Sequence, residues 1–264
     1  MTWLNFVLEK GYESRLTKIM AKLDQIVSFL DSELKTSEIP DYSGAHNGLQ
    51  LQNGGRVTKV ASAVDASLPV FEKVIASGAD LLIVHHGMFW QNGRAVTGPT
   101  YRKLKMAMDA GLAVYSSHIP LDIHPTLGNN VLLMEGLKLG KGSPFFNWKG
   151  IELGRQVDFA GQLGELVARL ESLLKGKVHV RGDLGKPAGR VGVITGGAGS
   201  EVEAMAAEGI ETFITGEGPH WSYPLAEELE INLLFGGHYA TETLGVQAVG
   251  RLISGEFGVS HEFI

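Results

Sequence analysis

Three short segments of the chain carry histidines directly after apolar runs, and two of them add a carboxylate. His85-His86-Gly87 follows the apolar run Leu81-Leu82-Ile83-Val84. Ser117-His118-Ile119-Pro120-Leu121-Asp122-Ile123-His124-Pro125 follows a second run at 112–116, and Gly237-His238-Tyr239-Ala240-Thr241-Glu242 follows a third at 231–235. Imidazole and carboxylate groups are ligands for divalent transition metals, and imidazole also moves protons near neutral pH. Three histidines (His85, His86, His238) with Asp122 and Glu242 exceed the three protein ligands of a typical catalytic zinc. They suit two ions that share a carboxylate and a water, an arrangement that acidifies the water for attack. The chain has no cysteine, which excludes thiolate sites, disulfides and a cysteine nucleophile. The expectation is two divalent ions per chain, drawn from Zn, Mn, Fe, Co or Ni.

Each segment also has a plainer reading. A His-His pair can be one core residue and one surface residue, since neighbours in a strand point to opposite faces. Asp122 can cap the helix that begins near Pro125. His238 and Glu242, four residues apart, can be an exposed helical pair. Other candidates are open in the same way. Trp90 can stack a flat ligand or fill the core. Glu217 and His220 can line the same cleft or cap the next helix. Thr195-Gly196-Gly197-Ala198-Gly199-Ser200 can hold an anion on a helix N-terminus or be a tight strand–helix turn, and it lacks the Gly-Lys-Ser/Thr of a P-loop. Asn47-Gly48-Leu49-Gln50 reads as a turn without evident chemistry.

The elements that must position these residues follow from apolar periodicity. Leu16, Ile19, Met20, Leu23, Ile26, Val27, Leu30 and Leu34 recur at helical spacing, with Pro40 as a stop. Strands are expected at 57–64, 80–84 and 112–116, alternating with helices at 69–77, 101–110 and 126–139. That alternation predicts an α/β fold with a helix-flanked sheet. Residues 141–189 read as a connector holding a strand at 152–160, a helix at 164–174 and a short strand at 178–180. From residue 190 the alternation resumes as a repeat. Gly78-Ala79-Asp80-Leu81-Leu82-Ile83-Val84-His85-His86-Gly87 matches Gly209-Ile210-Glu211-Thr212-Phe213-Ile214-Thr215-Gly216-Glu217-Gly218, and both halves place His-x-x-x-acid after a strand. The expected organisation is an N-terminal extension of uncertain order (1–19), an α/β lobe (20–140), the connector, and a second α/β lobe (190–264). The metal site then falls in the cleft between lobes, at the carboxyl ends of strands where open sheets bind ligands.

Composition agrees with a globular chain. Of 264 residues 44% are hydrophobic and 20% charged, which excludes bulk disorder. Glycine is abundant, 35 residues or about 13% against a usual ~7%, as many tight turns or close backbone approaches would require. No apolar run reaches roughly 18 residues, and the start lacks the basic region of a secretory signal, so a cytoplasmic protein without membrane contact is expected. The net charge of −6 disfavours nonspecific nucleic-acid binding without excluding a local basic groove.

Together Asn47-Gly48-Leu49-Gln50, Val84-His85-His86-Gly87, the segment His118–Pro125, Leu127-Gly128-Asn129-Asn130, Ile194-Thr195-Gly196-Gly197, Ile214-Thr215-Gly216-Glu217 and the segment Gly237–Glu242 resemble the motifs of one family. It is the dinuclear-metal-centre hexameric family, the GTP cyclohydrolase 1 type 2 homologues. The motifs run in order from Asn47 to Glu242; residues before Met20 lie outside the pattern, and the long insert of some members is absent. The resemblance implies a two-lobed protomer with metal ligands His85, His86, Asp122, His238 and Glu242, the last touching both ions. It makes His118 a neighbour of the site rather than a ligand, and it implies a ring-shaped homohexamer.

Three functions are compatible with this. The first is a metal-dependent hydrolase of cyclohydrolase type, with water attacking a purine ring carbon of GTP, His118 and His124 moving protons, and Trp90 and Glu217 contacting substrate. The second is a hydrolase with the same metals and another substrate, such as a phosphoester or amide. The third is a non-enzymatic metal-holding ring that binds a protein or nucleic-acid partner.

Overall fold

A computed structural model describes residues 20–90 and 95–264. The extension expected at 1–19 lies outside the described residues. β1 (Ala21–Lys22) leads into α1 (Leu23–Glu33), followed by β2 (Gly48–Leu51), β3 (Arg56–Val57) and β4 (Lys59–Asp65). Then come α2 (Leu68–Ser77), β5 (Leu81–His86), α3 (Gly98–Ala110), β6 (Ala113–Ser116), α4 (Ile119–Asp122) and α5 (Asn129–Gly136). A hairpin of β7 (Ser143–Trp148) and β8 (Ile151–Gln162) precedes α6 (Leu163–Leu174), β9 (His179–Arg181) and β10 (Pro187–Val193). A 3₁₀ turn (Ala198–Glu201) opens α7 (Val202–Ala207), and β11 (Thr212–Thr215), α8 (Ser222–Glu228) and β12 (Asn232–Phe235) follow. The chain closes with α9 (His238–Thr241), α10 (Thr243–Phe257) and β13 (Ser260–Phe263).

Two mixed sheets carry the fold. The first has the order β13-β4-β5-β6-β2, and the second β7-β8-β10-β11-β12-β9. In the first, β13, β4, β5 and β6 run parallel, with β2 antiparallel at the edge. In the second, β10, β11 and β12 run parallel between antiparallel neighbours. Residues 141–189, read as a connector from sequence, contain β7, β8, α6 and β9, and all three strands pair into the second sheet.

Alternation along each strand divides its side chains between two cores. Val60, Val64, Leu81 and Ile83 pack with Ile26 and Leu30 of α1 and with Val246, Val249 and Ile253 of α10. Ala61, Ala63, Leu82 and Val84 pack on the other face with Phe71, Val74 and Ala107 of α2 and α3. In the second sheet, Val191, Val193, Ile214 and Leu234 meet Leu133, Leu166 and Leu170 of α5 and α6. Phe213, Leu233 and Phe235 meet Met205 and Ala226 of α7 and α8. Helices therefore cover both faces of both sheets, which is why the parallel strands read as unbroken apolar runs. Among the described residues no helix is long and apolar enough to cross a membrane.

Several element boundaries differ from expectation. The helix expected at 126–139 spans only Asn129–Gly136, and Gly48-Leu49-Gln50, read as a turn, is in β2. Two further shifts touch the site and the first helix. The strand expected at 80–84 continues through both histidines to His86, because its pairing with β4 persists as far as Asp65↔His86. The first helix closes at Glu33, well before Pro40, with Lys35 in the left-handed region (φ 51).

Candidate metal centre

Parallel strands put their carboxyl ends on one edge, and the candidate residues collect along those edges. His85 and His86 end β5, His118 and Asp122 follow β6, Thr195 follows β10, and His238 and Glu242 follow β12. His86, His118, Asp122, Thr195, His238 and Glu242 line one cavity of about 540 Å³.

Four imidazoles there share one construction. Each donates from Nδ1 to a protein oxygen: His85 to the Ser117 carbonyl at 2.9 Å, His86 to Asp65 Oδ1 at 2.8 Å, His118 to Asp41 Oδ1 at 2.8 Å, and His238 to Glu217 Oε1 at 2.9 Å. A neutral ring that donates from Nδ1 keeps its lone pair on Nε2, the tautomer a metal ligand needs. The Nε2 atoms of His85, His86 and His238 turn toward Glu242. Its Oε1 lies 3.4 Å from His85 Nε2 and 3.2 Å from His238 Nε2, and its Oε2 lies 3.4 Å from His86 Nε2. The broken helix explains the reach: α9 ends at Thr241, and Glu242 stands at the joint with α10 (φ −108°, ψ 3°). Gly196 (φ +75°) makes room, since a Cβ there would run into Glu242 Oε1.

The residues fit a pair of divalent cations. His85 is fully buried and Glu242 is 2% exposed, yet His85 Nε2 and Glu242 Oε2 have no hydrogen-bond partner. Buried polar atoms without partners are rare and costly. Two groups, His85/His86/His118 and His86/His238/Glu242, each bring three potential ligand atoms within 4.8 Å of one another. These clusters are consistent with two divalent-metal sites per chain, and the nitrogen-rich donor set suits a first-row transition metal or zinc. Asp122 belongs to neither group of three. Its Oδ1 is 3.6 Å from His85 Nε2 and accepts from Asn129 Nδ2 at 2.8 Å and Thr195 Oγ1 at 3.3 Å.

The electrostatics favour cations. Burial opposes a charge on His85, but Asp122 and Glu242 outweigh it and push the imidazole up to about 9. The hydrogen bond to Glu242, against the cost of burial, raises His238 to about 9 as well. Burial alone would raise Glu242; His85 and His238 hold it far below the usual carboxylate range.

The other sequence candidates sit as follows. His118 is one of the three residues of the first group. Trp90 lines the cavity, edge-on to His118 with ring centroids 4.8 Å apart, and donates from Nε1 to the Gly87 carbonyl. Glu217 orients His238. The structure does not bring His124 to the cavity. Its Nδ1 accepts the Leu127 and Thr126 amides at 3.0 and 3.3 Å, its Nε2 faces Glu33 at 3.5 Å, and burial lowers its pKa. The glycine loop after β10 is a tight turn, four of whose amides are spent on protein acceptors. Thr195 N donates to Asn130, Gly196 N to Thr241, Ala198 N to Thr215 and Gly199 N to the Glu217 carbonyl.

Sequence reasoning missed Asp41, Asp65 and the asparagines. Asn47 accepts the His118 amide and donates to Asp41 Oδ2, so the turn without evident chemistry holds His118 in place. Asn129 joins Asp122 to the Gly245 amide of α10, and Asn130 ties Thr195 to the Leu153 carbonyl. The run of polar residues in Gly128-Asn129-Asn130, otherwise unexpected in a buried helix start, was the available signal.

An α/β protein with paired sites for divalent metal ions is the class that fold and site define. The chain belongs to the Duf34/NIF3 (NGG1p interacting factor 3) family, whose pattern matches residues 21–264. It is 39% identical over 243 residues to a GTP cyclohydrolase 1 type 2 homolog of Deinococcus radiodurans, covering 91% of this chain and 92% of that one. It is 40% identical over 248 residues to the homolog of the same name from Pyrococcus abyssi, covering 91% and 96%. Among solved structures it superposes on reduced HcgD from Methanocaldococcus jannaschii with a TM-score of 0.82 at 26% identity, covering 93% and 98%.

Proposed function

We propose that the protein is a divalent-metal-dependent hydrolase of the GTP cyclohydrolase 1 type 2 kind, acting on a ring carbon of a purine. The observation that carries this is Glu242: a buried carboxylate between the Nε2 atoms of His85, His86 and His238, with one oxygen lacking a hydrogen-bond partner. His85, His86, Asp122, His238 and Glu242 would hold the metals, with Glu242 shared. When bound, a pair of divalent ions supplies Lewis acidity and lowers the pKa of water. Two additions of water at the carbon between the imidazole nitrogens break both of its C–N bonds and release it as formate. His118, its Nδ1 held on Asp41, would pass a proton from Nε2 to a leaving ring nitrogen. The relatives' names support the reaction class.

Two further parts of the reading concern architecture. The chain is a duplication, supported by the matching parallel triplets β4-β5-β6 and β10-β11-β12, each followed by His-x-x-x-acid. The lobes expected at residues 20–140 and 190–264 are redrawn by the sheets: α10 and β13 return to the first, and β7–β9 of residues 141–189 join the second. The assembly is a homohexamer, which light scattering would show as six times 28.4 kDa.

The deciding experiment is formate release from GTP by protein reconstituted separately with Zn, Mn, Co and Fe. Turnover that disappears in Glu242→Ala and on chelation establishes the activity. No turnover at confirmed two-ion loading rejects GTP as substrate.

A further inference from the structure

The cavity beside the metal centre has a chemical character of its own. Its far wall is aromatic: Tyr42 and Trp148 lie with ring centroids 5.1 Å apart, and Phe146 joins them. Ser200 and Glu201, from the turn that opens α7, also line it. Glu201 faces the same space as Tyr42, whose phenol is pushed up by burial and by the Glu201 charge. No lysine or arginine is among the described residues that line the cavity. Lys149, beside the wall, lies over the Trp148 and Tyr42 rings and donates to the Asp41 carbonyl, so its ammonium is engaged in holding the wall.

A nucleoside triphosphate needs cations or free backbone amides for its phosphates. Among the described residues the lining holds no lysine or arginine, and the Thr195 and Ala198 amides beside it are already engaged. Asp65, Asp122, Glu201 and Glu242 line it, and two divalent ions would only cancel those four carboxylates. The glycine loop that might have cradled phosphate spends the amides of Thr195, Gly196, Ala198 and Gly199 on protein acceptors. What the walls do offer is a stacking face and a carboxylate, which accepts hydrogen bonds from N–H groups.

We infer that the substrate is an uncharged, planar, nitrogen-rich ring, a free base or nucleoside rather than a nucleoside triphosphate, stacked on the Tyr42/Trp148 wall with its N–H edge on Glu201. This rests on the reading of the site given above and deepens it by naming the substrate class. Glu201 becomes the specificity-determining residue, and the aromatic wall the source of affinity.

The test is direct binding to the two-ion-loaded full chain, read by calorimetry and tryptophan fluorescence. The probes are guanosine, the magnesium complex of GTP, and purine riboside, which lacks guanosine's N–H edge. Guanosine is expected to bind at least ~10-fold tighter than purine riboside, since an unpaired hydrogen-bonding group costs roughly that factor, and tighter than GTP, whose phosphates meet the lining carboxylates. Glu201→Gln should erase the preference for guanosine over purine riboside, and Trp148→Ala should weaken both. Glu201→Gln replaces one polar side chain by another of its size, so it serves if Trp148→Ala fails to fold. GTP binding tighter than guanosine overturns the inference, as does guanosine binding that neither variant alters, or no purine binding at all. Formate release measured on the same samples separates the two readings. Release from GTP without guanosine binding leaves the hydrolase and removes this substrate class. Guanosine binding without formate release from either purine does the reverse.

Discussion

Glu242, at the joint of α9 and α10, and His85, in β5 of the first sheet, meet at 3.4 Å, Oε1 to Nε2, in the buried interior. Their mutual attraction holds a carboxylate and an imidazole in the interior, where a divalent cation could also bind both. A carboxylate is desolvated against imidazoles at distances beyond a good hydrogen bond, with His85 Nε2 and Glu242 Oε2 unpartnered. Glu242→Ala is therefore expected to lose at least one ion per chain. Elemental analysis of the purified variant beside the parent checks this, and two ions per chain in the variant would remove Glu242 from the shared position.

Asp65 is expected to matter to metal binding although it touches no ion. It sits at the end of β4, level with His86 in the parallel register, and takes the Nδ1 proton of that ring. Such partners of metal-bound histidines typically contribute ~10–100-fold in affinity. Asp65→Ala should lower metal affinity by about that factor in a competition titration against a chromogenic chelator. Unchanged affinity would mean that packing alone orients His86.

Two glycines should respond oppositely to alanine. A Cβ on Gly216 would meet the Gly196 carbonyl at 2.5 Å and the His238 Cα and N at 2.6 and 2.8 Å, all backbone atoms. Gly216→Ala should cost about 1–3 kcal/mol in urea unfolding and displace His238. Gly255, within α10, has open space around its Cβ position. Gly255→Ala should stabilise by roughly 0.5–1 kcal/mol through helix propensity. Equal effects at the two sites would contradict the close approach of β11 to His238.

The pH dependence of stability should carry a signature of His261, far from the metal centre in sequence. Its Nε2 pairs with Ser62 Oγ at 2.8 Å, under Gly250 of α10, where a Cβ would strike the ring. Burial and the neighbouring Arg251 charge lower its pKa, partly offset by Glu262. The unfolded chain therefore binds a proton that the native state refuses. The contribution is complete above the unfolded value near ~6.5 and is lost as pH falls through that value toward the folded one. His261→Gln should flatten the fall in unfolding free energy between about pH 8 and about pH 5. Identical slopes in variant and parent would exclude it.

Much of the fold was legible in the chain because its strands are buried on both faces. Leu81-Leu82-Ile83-Val84 and Phe213-Ile214 admit few readings other than covered parallel strands. The limits of the helices were less so: α1 stops at a backbone reversal near Lys35 that no residue type there demands. His124 shows the same limit at the site. Its position between two prolines near Asp122 suggested proton transfer, but the direction of the ring depends on which loop amides need an acceptor, and those belong to Thr126 and Leu127.

The sequence by itself determined which side chains end apolar strands, and hence that histidines and carboxylates gather at sheet edges. That information is local, set by residue type and spacing. Only the tertiary structure decided what each imidazole does with its second nitrogen. Asp41 on His118, Asp65 on His86 and Glu217 on His238 are pairings across 77, 21 and 21 residues. They follow from strand register and loop path, which the packing of two sheets sets and no local pattern encodes. Tautomer and aim of the four Nε2 atoms, and with them the capacity to hold metal, are properties of that packing.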